Sequence, residues 1–198
     1  MNWALLIIPV SLLAILLLLV GYYFNRLVTL GNRYQNAFSQ IDIQLKRRYD
    51  LIPNLVECVK GYLTHEKSTL EAVASARNQA LAASRAAASR PGDSSAMAEL
   101  SRAEGVLNGA VGRLIAVAEN YPELKASQNM LGLQEELTTT ENRVGFARQA
   151  FNDAVTAYNT QRQTFPCVLV AGLCGFQNAS LLEAATVAER EMPRVNLG

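Results

Sequence analysis

Histidine, cysteine and net charge are all scarce in this chain, and each scarcity closes off a class of function. A single histidine, His65, in 198 residues cannot supply the paired Glu-x-x-His ligands of a carboxylate-bridged dimetal bundle, and Tyr62 stands three residues before it. The three cysteines, Cys58, Cys167 and Cys174, are an odd number without metal-ligand spacing. No immediate neighbour is basic, so they read as free structural thiols of a reducing compartment. A formal net charge of +1 gives no broad field for nucleic acid. Glycine-rich phosphate loops, nucleophile elbows and zinc motifs are missing too. No catalytic residue, metal, cofactor or small-molecule substrate is expected. Aromatics make up only 7%, and the Ala, Gln, Asn and Leu that dominate the body favour helix over strand.

What is abundant sits at the start. Trp3 to Phe24 carries no charged side chain, and about 20 apolar residues suffice to cross a bilayer's hydrocarbon core. Trp3, Tyr22 and Tyr23 mark its ends, where amphipathic rings favour the headgroup level. Leu5, Leu12, Leu16 and Leu19 form its lipid-facing body, and Pro9 falls where a kink is tolerable. The rival, a cleaved signal peptide, wants a positive start and a small-residue cleavage site. Only Asn2 precedes the run and Tyr22-Tyr23-Phe24 follows Gly21, so an uncleaved anchor over 1–25 is favoured. Arg26 and Arg33 flank it on one side, which places a short N-terminus outside and the body in the cytoplasm of a bacterial inner membrane.

The body reads as all-α: an antiparallel up-and-down four-helix bundle of long helices over 26–165, then an apolar segment, a short amphipathic helix and a tail over 166–198. Leu27, Leu30, Tyr34, Phe38, Ile41 and Leu45 trace one helical face. Gly31 alone does not separate them from the anchor, so span and first soluble helix are expected to form one rod. Pro53 interrupts, and Asn54 with Glu57 three residues on looks like a capping box. A second helix is therefore expected at Pro53, with its stripe at Leu55, Val59, Tyr62, Glu66, Thr69, Val73, Ala76, Ala80, Ala83 and Ala87. Pro53 as a reversal is favoured over Pro53 as a kink inside a single rod. The alanine-rich end should be a slim, partly exposed tip.

Arg90 to Ser94 is a turn with Asp93 or Ser94 as the next N-cap. Helix three carries Ala96, Leu100, Ala103, Leu107, Ala110, Leu114, Val117 and Tyr121 and stops before Pro122. The longest helix should be the fourth, where Met130, Leu133, Leu137, Thr140, Val144, Ala147, Phe151, Ala154 and Tyr158 follow coiled-coil heptad spacing. Asn142 and Asn152 on its flanks are candidates for interhelical networks. The apolar segment from Phe165 to Phe176 is too short to span. It either folds over the bundle's end or dips into the membrane interface through Val168, Leu169, Val170, Leu173 and Phe176. The amphipathic helix is expected over Ala179 to Arg190, with Leu181, Leu182, Ala185 and Ala188 on one side.

Several ordered motifs resemble the LemA family of bacterial membrane proteins. They are Phe38 to Glu57, His65-Glu66-Lys67, Tyr121 to Ser127, Phe151 to Val155 with Tyr158-Asn159, and Phe165-Pro166. The resemblance implies an N-terminal anchor with a short outer end, a cytoplasmic domain and an antiparallel four-helix bundle; it implies no chemistry. Glu66 falls on an apolar stripe, where it is solvated at an edge or is a partnered carboxylate fixing register. Lys46, Arg47 and Arg48 form a short basic patch about 33 Å along a straight helix from Phe24, expected as a solvated face or a dock for an acidic partner. The favoured function is a membrane-anchored scaffold or adaptor that contacts the lipid bilayer and assembles as a homo-oligomer or with a protein partner. The alternative is an enzyme, or a regulatory subunit, with a site in the bundle.

Overall fold

The computed structural model describes residues 4–62 and 66–183, with side chains from Ile7 onward. Trp3, the side chain of Leu5, His65 and everything from Ala184 to the tail lie outside the described residues. Helix α1 spans Ala4–Lys60 without a break, about 86 Å at 1.5 Å per residue. It is two objects on one axis. From Ile7 to Val20 every side chain is exposed, Leu18 to 74%, whereas from Leu27 onward every third or fourth one is buried. Tyr22 is exposed and Tyr23 is half-buried against the core.

Helix α2 (Lys67–Ser89) returns, α3 (Ser94–Ala118) goes out again, the single turn α4 (Pro122–Lys125) crosses over, and α5 (Gln128–Gln163) comes back. The core pairs α1 with α5 and α2 with α3, and the described residues contain no strand. Asp93 caps α3, its Oδ1 accepting from the Ala96 amide at 2.9 Å, and Pro122 occupies the first turn of α4. Both follow from local chemistry. Nearly every expected stripe position is buried or half-buried; Tyr62, at 43%, is the exception because it lies in the turn after α1.

Pro53 corrects the expected boundary: α1 passes through it and the chain reverses only after Lys60. The four-helix, out-and-back topology holds, but Asn54 and Glu57 are exposed mid-helix residues rather than a cap. The reason is a substituted hydrogen bond. Proline has no amide hydrogen, so the Tyr49 carbonyl one turn earlier loses its helical partner. Arg77 of α2 replaces it, its Nε donating to the Tyr49 carbonyl at 2.6 Å. The vacancy that would end an isolated helix here joins two helices.

The hairpin α2–α3 is shorter than the pair it packs on. Its turn at Gly92 lies beside Tyr34, ten residues after Phe24, so α1 and α5 extend below it. Helix α6 (Cys167–Leu173) fills that space, contacting both. Leu27, Leu30, Cys167, Ala171, Ala179 and Leu182 accordingly belong to one continuous core with the rest of the bundle. The alanine-rich hairpin is therefore covered rather than a free tip. Residues 176–183 are not helical but an extended strap, which corrects the start of the expected amphipathic helix.

Candidate functional site

Three places in the bundle collect polar or exposed groups. The first is a buried layer at mid-height. Leu45, Arg48, Tyr49 and Ile52 continue the inward face of α1, and Glu104 falls between Leu100 and Leu107 on that of α3. Arg48 Nη1 donates to Glu104 Oε2 at 3.0 Å, Arg48 Nη2 donates to Asn108 Oδ1, and the Tyr49 hydroxyl donates to Glu104 Oε1 at 2.6 Å. Burial pushes the Glu104 carboxyl above the usual range; the Tyr49 hydroxyl and Arg48 pull it the other way. Burial, and then the Glu104 charge, push the Tyr49 phenol up. A second tie joins α2 to α1, Ser84 Oγ donating to Asp42 Oδ1 at 3.1 Å. The cavity over this layer measures about 40 Å³ and is closed by Leu182 and Glu183. That is room for two or three waters, far below the ~300 Å³ of a small-molecule site. The layer's donors and acceptors satisfy one another, so the arrangement fixes helix register.

The second is the strap. Asn152 and Asn159 stand two turns apart on α5. Each uses its whole amide against one extended residue: Asn152 bonds the Leu182 amide and carbonyl at 2.9 and 3.0 Å, Asn159 those of Ala179 at 3.1 and 2.7 Å. Seven helical residues rise about 10.5 Å and three extended residues about 10 Å, so the two repeats match. The Ser180 amide donates to the Gly92 carbonyl at 2.8 Å, and the Tyr158 hydroxyl to the Gln177 carbonyl at 2.9 Å. Asn152 thus joins a network, with the strap rather than between helices, while Asn142 is exposed.

The third is the bundle end next to the apolar part of α1. Phe24 and Phe176 meet edge to face, ring centroids 5.5 Å apart, which fixes α6 at the height where the uncharged run stops. Val168, Leu169 and Leu173 are exposed, Leu173 to 86%, as is Phe165 at 76%. Val170, expected among them, instead points into the core at 6% exposure, because the same short helix must also cover α1 and α5. Of the expected docking patch, Lys46 and Arg47 are exposed. Arg48 is not: it is 5% exposed and spent on Glu104. Arg47 lines a shallow α1–α5 groove with Asp50, Glu135, Glu136 and Arg143, a face of mixed sign. Glu66 is half-buried at the N-cap of α2, not within a helix face. Among the described residues no group of His, Cys, Asp or Glu could hold a metal ion.

This is the anatomy of a four-helix bundle built on one long helix whose first part is apolar and long enough to cross a membrane. The chain belongs to the LemA family, whose profile matches residues 37–197. It is similar to the magnetosome protein MamQ 2 of Paramagnetospirillum magneticum, 26% identical over 175 residues, covering 81% of this chain and 64% of that protein. The magnetosome protein MamQ of Magnetospirillum gryphiswaldense is 26% identical over 182 residues, covering 84% and 66%. Protein LemA of Metamycoplasma hominis is 25% identical over 163 residues, covering 82% and 70%. The chain therefore spans less than two thirds of the length of these magnetosome proteins.

Proposed function

We propose that this protein is a single-pass membrane scaffold, with a short N-terminus outside, the bundle in the cytoplasm and no chemistry of its own. The observation that carries it is the continuity of α1. A helix that is exposed and apolar from Ile7 to Val20 and core-forming from Leu27 couples any anchor rigidly to the bundle, which suits a stand that presents a surface. The buried polar layer consumes its own hydrogen-bonding capacity, and the cavity above it is too small for a substrate; both favour a scaffold over an enzyme. Phe146 and Leu131 on α5, exposed to 74% and 52%, give the bundle an apolar outer face for a second copy or another protein. Relatives named as magnetosome proteins are compatible with a role in organising a membrane-bound structure.

A photo-crosslinking residue at position 146, activated in native membranes, tests the proposal. Adducts with a second copy or with one defined protein support it, and monomer alone contradicts it. Orientation is read separately from Cys174, which is exposed: a membrane-impermeant maleimide should label it only after the inner membrane is opened.

A further inference from the structure

The geometry points to a second membrane contact in this chain: α6 and the Phe165 corner form a foot that rests in the interface of the same leaflet from which α1 emerges. The inference rests on α1 spanning the bilayer, and it adds what the span alone does not give, a fixed tilt of the bundle on the membrane.

Height comes first. The uncharged run from Trp3 to Phe24 covers about 33 Å as helix, close to the ~30 Å hydrocarbon thickness, so Phe24 lies at the edge of the apolar layer. Phe24 touches Phe176, and α6 packs on α1 and α5 immediately beside it. The foot is therefore held at the interface by the span's own last apolar residue.

Composition comes second. Helix α6 is apolar on both faces: Cys167, Val170 and Ala171 are buried in the bundle, while Val168, Leu169 and Leu173 point outward with nothing polar between them. A short helix at a water-facing bundle end would keep its outer face polar. Clustered large apolar groups next to an apolar span form a surface continuous with it.

Charge comes third. No Asp or Glu occurs over residues 22–41 or 154–182, whereas Arg26, Arg33 and Arg162 do. Among the described residues, the bundle's lower rim is thus basic and free of carboxylates, the sign that anionic headgroups attract.

The test uses the full chain in vesicles of equimolar phosphatidylcholine and phosphatidylglycerol. Trp3 is the single tryptophan, so Trp3→Phe clears the background. Leu169→Trp or Leu173→Trp then reports on the foot, and Phe146→Trp, high on the bundle, is the control. All three report positions are exposed, so none disturbs the core. The expected result is blue-shifted emission at 169 and 173, quenched several-fold more than the control by lipids brominated near the headgroup end of the acyl chain. Emission at 169 and 173 that matches the control overturns the foot. So does shielding without lipid quenching, which would mean a protein covers α6. Alkaline carbonate extraction of the same vesicles separates the failures: a chain that stays in the membrane keeps the span and loses only the foot, and a chain that is extracted loses both.

Discussion

Replacing Pro53 and Arg77 singly and together tests whether the helix break in α1 is repaired from α2. In the native chain the Tyr49 carbonyl, on a residue 1% exposed, has the Arg77 guanidinium as its replacement donor. Arg77→Ala leaves that carbonyl unpaired in the core, at about 1–3 kcal/mol. Pro53→Ala restores an amide hydrogen at position 53 and relieves a ring clash, in a setting where interior proline costs about 3 kcal/mol. The restored amide then competes with Arg77 for one oxygen. The two changes should therefore couple: Arg77→Ala should cost about 1 kcal/mol less in the Pro53→Ala background than in the native one. Guanidinium unfolding followed by circular dichroism measures this on a chain beginning at Asn25, which keeps the core from Leu27 onward. Additivity within about 0.3–0.5 kcal/mol, or a Pro53→Ala variant less stable than the native chain, would refute the substituted hydrogen bond.

Glu104→Ala strands Arg48 in the core and should cost about 3–5 kcal/mol, a fall in unfolding midpoint that a surface change such as Glu99→Ala does not produce. Because Glu104 is held above the usual carboxylate range, the folded state binds its proton more tightly than the unfolded one. That contribution is complete below about pH 4.3 and is lost as pH rises through the folded value. Native stability minus that of Glu104→Gln should therefore decline with rising pH; a difference that grows contradicts the burial argument. Asn152→Ala and Asn159→Ala each remove two strap bonds, about 1–3 kcal/mol of local stability. Amide exchange at Leu182 and Ala179 should speed up while α3 stays protected, and unchanged protection would mean that the strap is held by packing alone. Gly92→Ala combines a φ of +84° with an added Cβ 3.0 Å from that of Ala179 and should destabilise by about 1–3 kcal/mol; a neutral effect in the same denaturation assay would show that the strap yields there.

Periodicity carried most of the bundle. The stripes of α2, α3 and α5 rest on three-four spacing that any inward face must show, and the structure buries or half-buries nearly all of them. The Pro53 error came from weighing a local signal over that rhythm: Leu45, Arg48 or Tyr49, Ile52, Leu55 and Val59 keep one phase straight through the proline. A single helix was written there, but the donor that permits it, Arg77, lies 28 residues away and no local pattern marks it. Glu104 and Arg48 were visible as charged residues on apolar faces. Their pairing depends on which helices become neighbours, which spacing does not give. The strap was least legible, since Ala179 to Leu182 has helical composition and becomes extended only because Asn152 and Asn159 engage its backbone.

The central claim is that α1 makes anchor and bundle one scaffold that assembles on the membrane. It is tested most directly by the mass of the detergent-solubilised full-length protein beside that of the chain beginning at Asn25. A large, discrete assembly that collapses once the apolar part of α1 is gone is the predicted result. A monomer in both forms would contradict self-assembly and leave a different protein partner as the scaffold's cargo.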